Sequence, residues 1–271
     1  MQEFKLLYNQ THPRSAEILY VSLERLVKEV LNKDLTSYKI QIEDHISPFL
    51  NEEYYKSLIR GILSIKSENC MPLIADTQTL LAYERMIKAL YQDGELKKRI
   101  EETLGAIDLL ELEKSFVFAP KLILENGNFF EEKQNIGKWR GFKCAFVVEG
   151  EVADYLELTK IVEILEWVSG LSIKIFKKNC YDYLLNHNKE LAFKMAGKDY
   201  YEMVDCGVDF ILTPSIGHFE MYDGYAKEIK KSQGRDDLEV PVLFIPEILL
   251  APLKGGSFLL FDRHNITPKM V

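Results

Sequence analysis

Four cysteines are the residues of this 271-residue chain best suited to metal or redox chemistry. They lie at positions 70, 144, 180 and 206, so no two form a Cys-x-x-Cys pair. Structural zinc sites and cubane iron–sulfur clusters usually take ligands from such pairs. The spacing therefore argues against these common metal centres. Each cysteine must be explained either as a small packing residue or as part of a less usual site.

Motifs of several large enzyme classes are absent from the sequence. Neither GxGxxG nor GxxxxGK[ST] occurs, so the usual signals for dinucleotide and nucleoside triphosphate binding are missing. GxSxG and HExxH are also absent, which leaves serine hydrolases and zinc proteases of those types without support.

The charge of the chain argues against a polyanionic partner. Asp and Glu exceed Lys and Arg, giving a formal net charge of −8 at pH 7. Nucleic-acid binding needs clustered positive charge, so no nucleic-acid partner is predicted. The apolar stretch at 240–253 is too short for a membrane span, and the N-terminus lacks a secretory apolar segment. We therefore predict no membrane span, and a cytoplasmic location in which the thiols stay reduced.

One order of strands and helices is predicted twice along the chain. A helical pattern separates the first and second strand of each copy, as at 16–31 and 155–170. The three matching pairs of apolar strands are 4–10 with 142–151, 37–44 with 171–179, and 71–75 with 208–218. A further strand is predicted at 241–245, before a helix at 246–253. Alternating strands and helices indicate an α/β fold with two similar parallel-sheet units and helices on both faces.

A polar, glycine-containing segment at 125–141 separates the two copies. We accordingly predict a first unit over 1–124 and a second over 125–271, which includes the C-terminal tail. A crevice between the units is expected at the carboxyl ends of the strands.

Two segments near the end of the chain read ILTPSIGHFEMYDGYAKEIKKSQGRDDLEVPVLFIPEILLAPL (211–253) and LLFDRHNITP (259–268). They resemble the C-terminal end of the HdrB component of heterodisulfide reductase and its relatives in the cysteine-rich CCG-domain family. Asp223 matches the family's aspartate near a helix end. ADTQTLLAYERMIKALYQDGELKKRIEETLG (75–105) resembles the segment around the family's first Cys-x-x-Cys.

The resemblance implies a set of ligand positions that this chain fills differently. In each repeat, family members carry a single Cys after the first strand, Cys-Cys-Gly after the second and Cys-x-x-Cys after the third. The corresponding residues here are Thr11, His45-Ile46-Ser47, Asp76 and Thr79 in the first repeat, and Glu151, Asn179-Cys180-Tyr181, Ser215 and His218 in the second. Cys180 is the one cysteine kept at these positions.

One cysteine is too few for the noncubane clusters that the resemblance implies, because iron–sulfide cores need several thiolate ligands. No iron–sulfur cluster is therefore expected. Asp76 and Ser215 are also typical helix N-caps, and the structural interpretation is that they took on this role. On the functional interpretation, Glu151, Cys180 and His218 form a zinc site with Ser215 or water as the fourth ligand.

Two further interpretations stay open. Lys177 and Lys178 would favour the thiolate of Cys180 and make it reactive. His12, His45 and Asp76 could meet at the mouth of the crevice in the first repeat. His264 matches a histidine of the family's tail and predicts a contact that holds the tail against the domain.

These considerations predict a cluster-free relative of HdrB, without disulfide reductase activity. It would be a binding or assembly component, with a protein partner in an electron-transfer complex. The alternative is a zinc-binding or thiol-dependent redox enzyme with a rebuilt site around Cys180 and His218. Whether the chain is an enzyme stays open at this point.

Overall fold

Two four-stranded parallel sheets organise the computed structural model. The residues that the structure describes are 3–9, 11–40, 52–126, 128–129, 137–155, 158–235, 239–254 and 259–269. The strands of the first sheet are β1 (Glu3–Asn9), β2 (Thr36–Ile40), β3 (Cys70–Ile74) and β4 (Val117–Phe118), and those of the second are β5 (Lys143–Val148), β6 (Ser172–Lys177), β7 (Phe210–Thr213) and β8 (Val242–Phe244). The spatial orders are β2-β1-β3-β4 and β6-β5-β7-β8, so the two sheets share one topology.

Helices pack around both sheets. They are α1 (Pro13–Leu31), α2 (Glu52–Ser67), α3 (Thr77–Gln92), α4 (Gly94–Leu104), α5 (Leu109–Glu113), α6 (Ala119–Glu125), α7 (Gly150–Tyr155), α8 (Leu158–Ser169), α9 (Lys189–Val204), α10 (Ile216–Phe219), α11 (Ala226–Gln233) and α12 (Ile245–Lys254). A π-helical turn, Glu220–Gly224, links α10 to α11. The α/β fold with two similar units that the sequence predicts is confirmed.

The central strands are the most apolar because parallel sheets are covered on both faces. In β5 only Lys143 is exposed, and the five residues after it are buried. The edge strand β6 buries one residue, Phe176. Burial therefore sets the order of the sheets: the continuous apolar run of β5 lies inside, and the more polar strand lies at the edge.

Most strand limits agree with the sequence predictions to within three residues, and residues 41–44 of the strand predicted over 37–44 lie outside the described residues. The strand predicted over 208–218 is shorter, because β7 ends at Thr213 and α10 begins at Ile216. The two-residue strand β4 pairs with Leu73 and Ile74 of β3 and has no counterpart in the sequence predictions. The helix predicted over 155–170 corresponds to α8, and α7 before it is an additional helix. No helix in the described ranges has the length and apolar character to cross a membrane.

A segment that precedes β5 is attached to the end of α8. The backbone N–H of Gly137 donates to Val168 O at 3.1 Å, and that of Trp139 donates to Ser169 O at 2.9 Å. Gly170 ends the helix with φ at +78°, and a Cβ built there would lie 2.6 Å from the Cα of Gly137. Gly170 therefore needs to be glycine for two reasons, its backbone conformation and the close approach of another backbone.

Gly170→Ala should destabilise the fold more than Gly207→Ala. Gly207 also has a positive φ, of +70°, but a Cβ built there meets nothing within 4 Å. Gly207→Ala should cost about 1–2 kcal/mol from left-handed strain alone. Gly170→Ala adds the clash with Gly137. Urea unfolding of both variants measures the difference, and equal losses would contradict the close approach.

Candidate functional site

A cavity of about 740 Å³ lies between the two units at the carboxyl ends of their strands. Thr11, which follows β1, and Gln78, near the start of α3, line it from the first unit. Glu149, which follows β5, lines it from the second unit together with Cys180 and Asp182, which follow β6. This edge of the sheets is where parallel α/β proteins place their ligands, so the cavity is the candidate site.

The first residue of each predicted Cys-x-x-Cys position is a buried helix cap. The carboxylate of Asp76 accepts the backbone N–H of Thr79 at 2.9 Å, at the start of α3. The hydroxyl of Ser215 accepts the backbone N–H of His218 at 3.3 Å, at the start of α10. The N-cap interpretation is therefore confirmed for both residues.

A buried hydrogen-bond network surrounds the Asp76 cap in the first unit. The hydroxyl of Thr79 donates to Asp76 Oδ2 at 2.6 Å, and the hydroxyl of Tyr20 lies 3.4 Å from the same oxygen. Asn9, the last residue of β1, donates its side-chain amide to Thr79 Oγ1 at 3.3 Å. Burial raises the pKa of Asp76, against the effect of its bonds from Thr79. Asp76 and Thr79, which the sequence predicts at the crevice, are thus buried in this network and are not among the residues that line the cavity.

In the second unit, Glu149 holds the position that Asn9 holds in the first. Its carboxylate accepts the hydroxyl of Ser215 at 2.7 Å and, from the first unit, the hydroxyl of Thr77 at 2.9 Å. The backbone N–H of Thr77 also donates to Pro214 O at 3.2 Å. Glu149 therefore links the two units beneath the cavity. The family resemblance points instead to Glu151, two residues further along.

His218 is fully buried beside this carboxylate. Its Nδ1 lies 3.5 Å from Glu149 Oε1, and its ring stacks on Tyr222 with centroids 5.7 Å apart. Neither ring nitrogen has a hydrogen-bond partner among the described residues. His218 does not line the cavity and lies behind it.

Glu151 and Cys180 line the same cavity, but the predicted zinc ligands do not form one group. The Glu151 carboxylate is exposed and pairs with Arg85, at 2.7 Å and 3.2 Å from two guanidinium nitrogens. The described residues include no group of three or more His, Cys, Asp and Glu side chains placed to hold a metal ion. His45, the remaining predicted site residue, lies outside the described residues.

Cys180 is a buried thiol and not an activated one. Burial raises its pKa well above the usual value, and the nearby charges of Asp182 and Glu149 act in the same direction. The predicted activation by lysine is wrong for Lys178, because its ammonium pairs with Asp199 at 3.2 Å and with Glu202 at 2.7 Å. Lys178 is thus close to Cys180 in sequence, but its ammonium pairs with carboxylates and not with the thiol.

An ion pair that sequence reasoning missed crosses the cavity from one unit to the other. His12 Nε2 lies 3.2 Å from Asp182 Oδ2, and Gln78 donates its amide to the same oxygen at 2.7 Å. His12 and Tyr181, the residue before Asp182, both have left-handed backbone conformations, with φ of 51° and 63°. Such strained residues concentrate at functional sites. Of the predicted trio at this mouth, His12 is present, Asp76 lies buried in its cap and His45 is not described.

The pair shifts the pKa values of both partners. Burial opposes protonation of His12, but the hydrogen bond and the charge of Asp182 outweigh it and raise the pKa of His12. Burial also opposes ionisation of Asp182, but His12 and Gln78 outweigh it and lower the pKa of Asp182. The charged forms therefore stabilise each other across the cavity.

A further contact between the units involves the C-terminal tail. Arg14 of α1 pairs with the fully buried Asp223 at 2.8 Å, and Asp223 accepts the backbone N–H groups of Asn265 at 3.0 Å and Ile266 at 3.1 Å. His264 lies 2.9 Å from the buried Glu247. The predicted role of His264 in holding the tail is thus confirmed.

Fold and site together define a two-unit α/β protein with a cavity between its units. Residues 181–265 match the family model described as the HdrB-like C-terminal domain. This match covers the C-terminal part of the chain and confirms its resemblance to HdrB there.

The structure is also similar to the crystal structure of a hypothetical protein from Helicobacter pylori, with a TM-score of 0.77 and 14% sequence identity. The similarity covers 99% of this chain and 53% of that one, so the chain spans about half the length of the other protein. At this identity the likeness shows the fold alone. No curated protein matches the sequence.

Alkylation at neutral pH should distinguish the cysteines. Cys206 is exposed, whereas Cys180 is buried with a raised pKa. Cys180 should therefore react with iodoacetamide more than about tenfold more slowly. Mass spectrometry of the labelled peptides measures both rates. Cys206→Ser should remove the fast label and Cys180→Ser should retain it; rapid labelling of Cys180 would contradict its assignment as an unactivated thiol.

The His12–Asp182 pair should stabilise the fold over a limited pH range. A raised histidine pKa contributes stability below its usual value of 6.5 and loses it as the pH rises through the raised value. A lowered aspartate pKa contributes above its usual value of 3.8 and loses it as the pH falls through the lowered value. The pair is therefore fully effective between these two usual values.

His12→Asn tests this range, because asparagine tolerates the left-handed backbone of residue 12. The free energy of unfolding that this variant loses should be larger at about pH 5 than at about pH 8. Urea unfolding at both pH values measures the difference, with His187→Asn, at an exposed histidine, as the control. A loss independent of pH would show that the ion pair does not form.

Proposed function

We propose that this chain is a cluster-free relative of HdrB, which binds a ligand in the cavity between its units and has no disulfide reductase activity. One observation carries the proposal. At the described positions where the resemblance places cluster cysteines, Asp76, Thr79 and Ser215 are buried and use their oxygens in helix caps and hydrogen bonds, and Cys180 is the one thiol.

The donor atoms at these positions do not fit an iron–sulfur cluster. Such clusters are held by several thiolates, and oxygen donors do not replace them as a set. Asp76, Thr79 and Ser215 already use their oxygens in caps and in bonds to neighbouring side chains. Cys180 has a pKa raised by burial, which disfavours its thiolate. We therefore derive no step through a cluster.

The cavity supports a binding role. Its volume of about 740 Å³ lies within the range of pockets that enclose small molecules. Polar groups from both units reach it, among them Gln78, Asn179 and Asp182. Leu81 and Leu185 add apolar surface. A cleft with apolar surface and a few convergent polar groups is the usual form of a small-molecule site.

The family match supports a second part of the proposal, association with a protein of an electron-transfer system. In this role the chain contributes its bound ligand and its surface, while the partner carries the redox centre. The match over residues 181–265 is the support for this part.

Purification of the tagged chain from its own cells without oxygen tests the cluster-free assignment and the association with an electron-transfer partner. The chain and any companion are separated by high salt, and iron, zinc, sulfide and visible absorbance are then measured on each fraction. We expect no stoichiometric metal or visible absorbance in the chain, and iron with visible absorbance in the companion.

Other outcomes would overturn specific parts. Iron and sulfide in the isolated chain would contradict the cluster-free assignment. Stoichiometric zinc that is lost in both Cys180→Ala and His218→Ala would favour the alternative, a metal-binding enzyme with a rebuilt site. A chain that purifies alone, or with a companion free of redox centres, would contradict the electron-transfer association.

A further inference from the structure

The first unit lines one wall of the cavity. Among the described residues of this wall, the charged side chains are all cationic. Its charged residues are His12, Arg14 and Arg85, and its described residues include no aspartate or glutamate. His12 is held towards its protonated form by Asp182. This wall therefore presents cations at three places along the cavity.

The wall from the second unit has the opposite character. Its described residues carry four carboxylates, on Glu149, Glu151, Asp182 and Glu220, against one cation, Lys189. The chain has a net negative charge, yet the described part of the first unit's wall contains no aspartate or glutamate. The overall charge therefore does not account for the difference between the walls. The cavity therefore has one cationic and one anionic side.

Three ion pairs span the cavity between these sides. Their shortest distances are 3.2 Å for His12–Asp182, 3.4 Å for Arg14–Glu220 and 2.7 Å for Arg85–Glu151. All six side chains keep some exposure to solvent. Because solvent reaches both members of each pair, a ligand that offers both charges can compete for one of them.

Side-chain amides line the space between the charged groups. Asn9, Gln78, Asn179 and Asn186 all face the cavity. Asn9 and Gln78 already donate to Thr79 and Asp182. An asparagine amide such as that of Asn179 or Asn186 has both N–H donors and a carbonyl acceptor, which matches the two hydrogen-bonding groups of a peptide bond. Peptide units with a charge at each end would therefore find partners between the charged groups of the cavity.

We infer that the cavity binds a zwitterionic peptide-like ligand, with its carboxylate towards the His12–Arg14–Arg85 side and its ammonium towards the carboxylates of the second unit. This inference names the ligand class for the binding role proposed above and rests on it. Hydrogen bonds between oppositely charged groups supply the recognition at both ends, and the amides supply it in the middle.

Calorimetric titration with trialanine and two blocked analogues tests the inference. N-acetyl-trialanine lacks the ammonium, and trialanine amide lacks the carboxylate. Because a hydrogen bond to a charged group is worth a factor of about ten or more in affinity, each blocked peptide should bind at least about tenfold more weakly than trialanine.

Arg85→Gln and Glu151→Gln should each weaken trialanine binding, since each removes charge from one side of the cavity. The control is the exposed pair Lys28–Asp34, whose members do not line the cavity. Lys28→Gln and Asp34→Asn should leave the affinity unchanged. Circular dichroism at the titration temperature checks that every variant is folded.

The remaining outcomes separate this inference from the binding role on which it rests. Equal binding of all three peptides would overturn the zwitterion assignment but leave the cavity a ligand site. Binding of succinate or 1,4-diaminobutane without binding of trialanine would do the same. If none of these probes binds at millimolar concentration, the inference is wrong, while the metal analysis still decides the cluster-free assignment independently.

Discussion

The buried carboxylate of Asp223 is the constraint on which the arrangement of the two units depends. An ionised group removed from water must be fully paired, or the fold loses several kcal/mol. Asp223 meets this condition with Arg14 from the first unit and two backbone N–H groups from the C-terminal tail. One side chain therefore fixes the start of α1, the π-helical turn and the tail relative to one another. The cavity lies beside this junction, so its shape depends on the same contacts.

The two units use one topology to build two different polar centres. The strand registers pair Leu6 with Leu73 in the first sheet and Phe146 with Leu212 in the second. Asn9 follows Leu6 at the same spacing as Glu149 follows Phe146, so the two residues occupy equivalent positions. Asn9 bonds within its own unit, to Thr79. Glu149 also accepts a bond from Thr77 of the other unit. Replacing a neutral amide by a carboxylate at one position thus converts a local contact into a link between the units.

The fold could be predicted from the sequence because apolar strands and amphipathic helices leave regular patterns. The helix caps could be predicted as well, because Asp and Ser before a helix act locally. The resemblance points to Glu151 and misses Glu149, which links the units, because similarity to a distant family carries little information on register. The effect of Lys178 on Cys180 was predicted from adjacency, yet the lysine pairs with two carboxylates of α9. The His12–Asp182 pair joins residues 170 positions apart, and only packing of the units brings them together.

The polar centres and the missing cysteines are two aspects of one change. A thiolate that holds iron needs an open coordination direction, whereas a cap or a link between units needs an oxygen that accepts hydrogen bonds. Asp76 and Ser215 cannot meet both requirements, because their oxygens are already used within hydrogen-bond distance. Restoring a cysteine at either position would remove a helix cap, and at Ser215 also a bond to Glu149. A single reversion would therefore weaken the fold without completing a ligand set. Several coordinated changes would be needed to complete such a set.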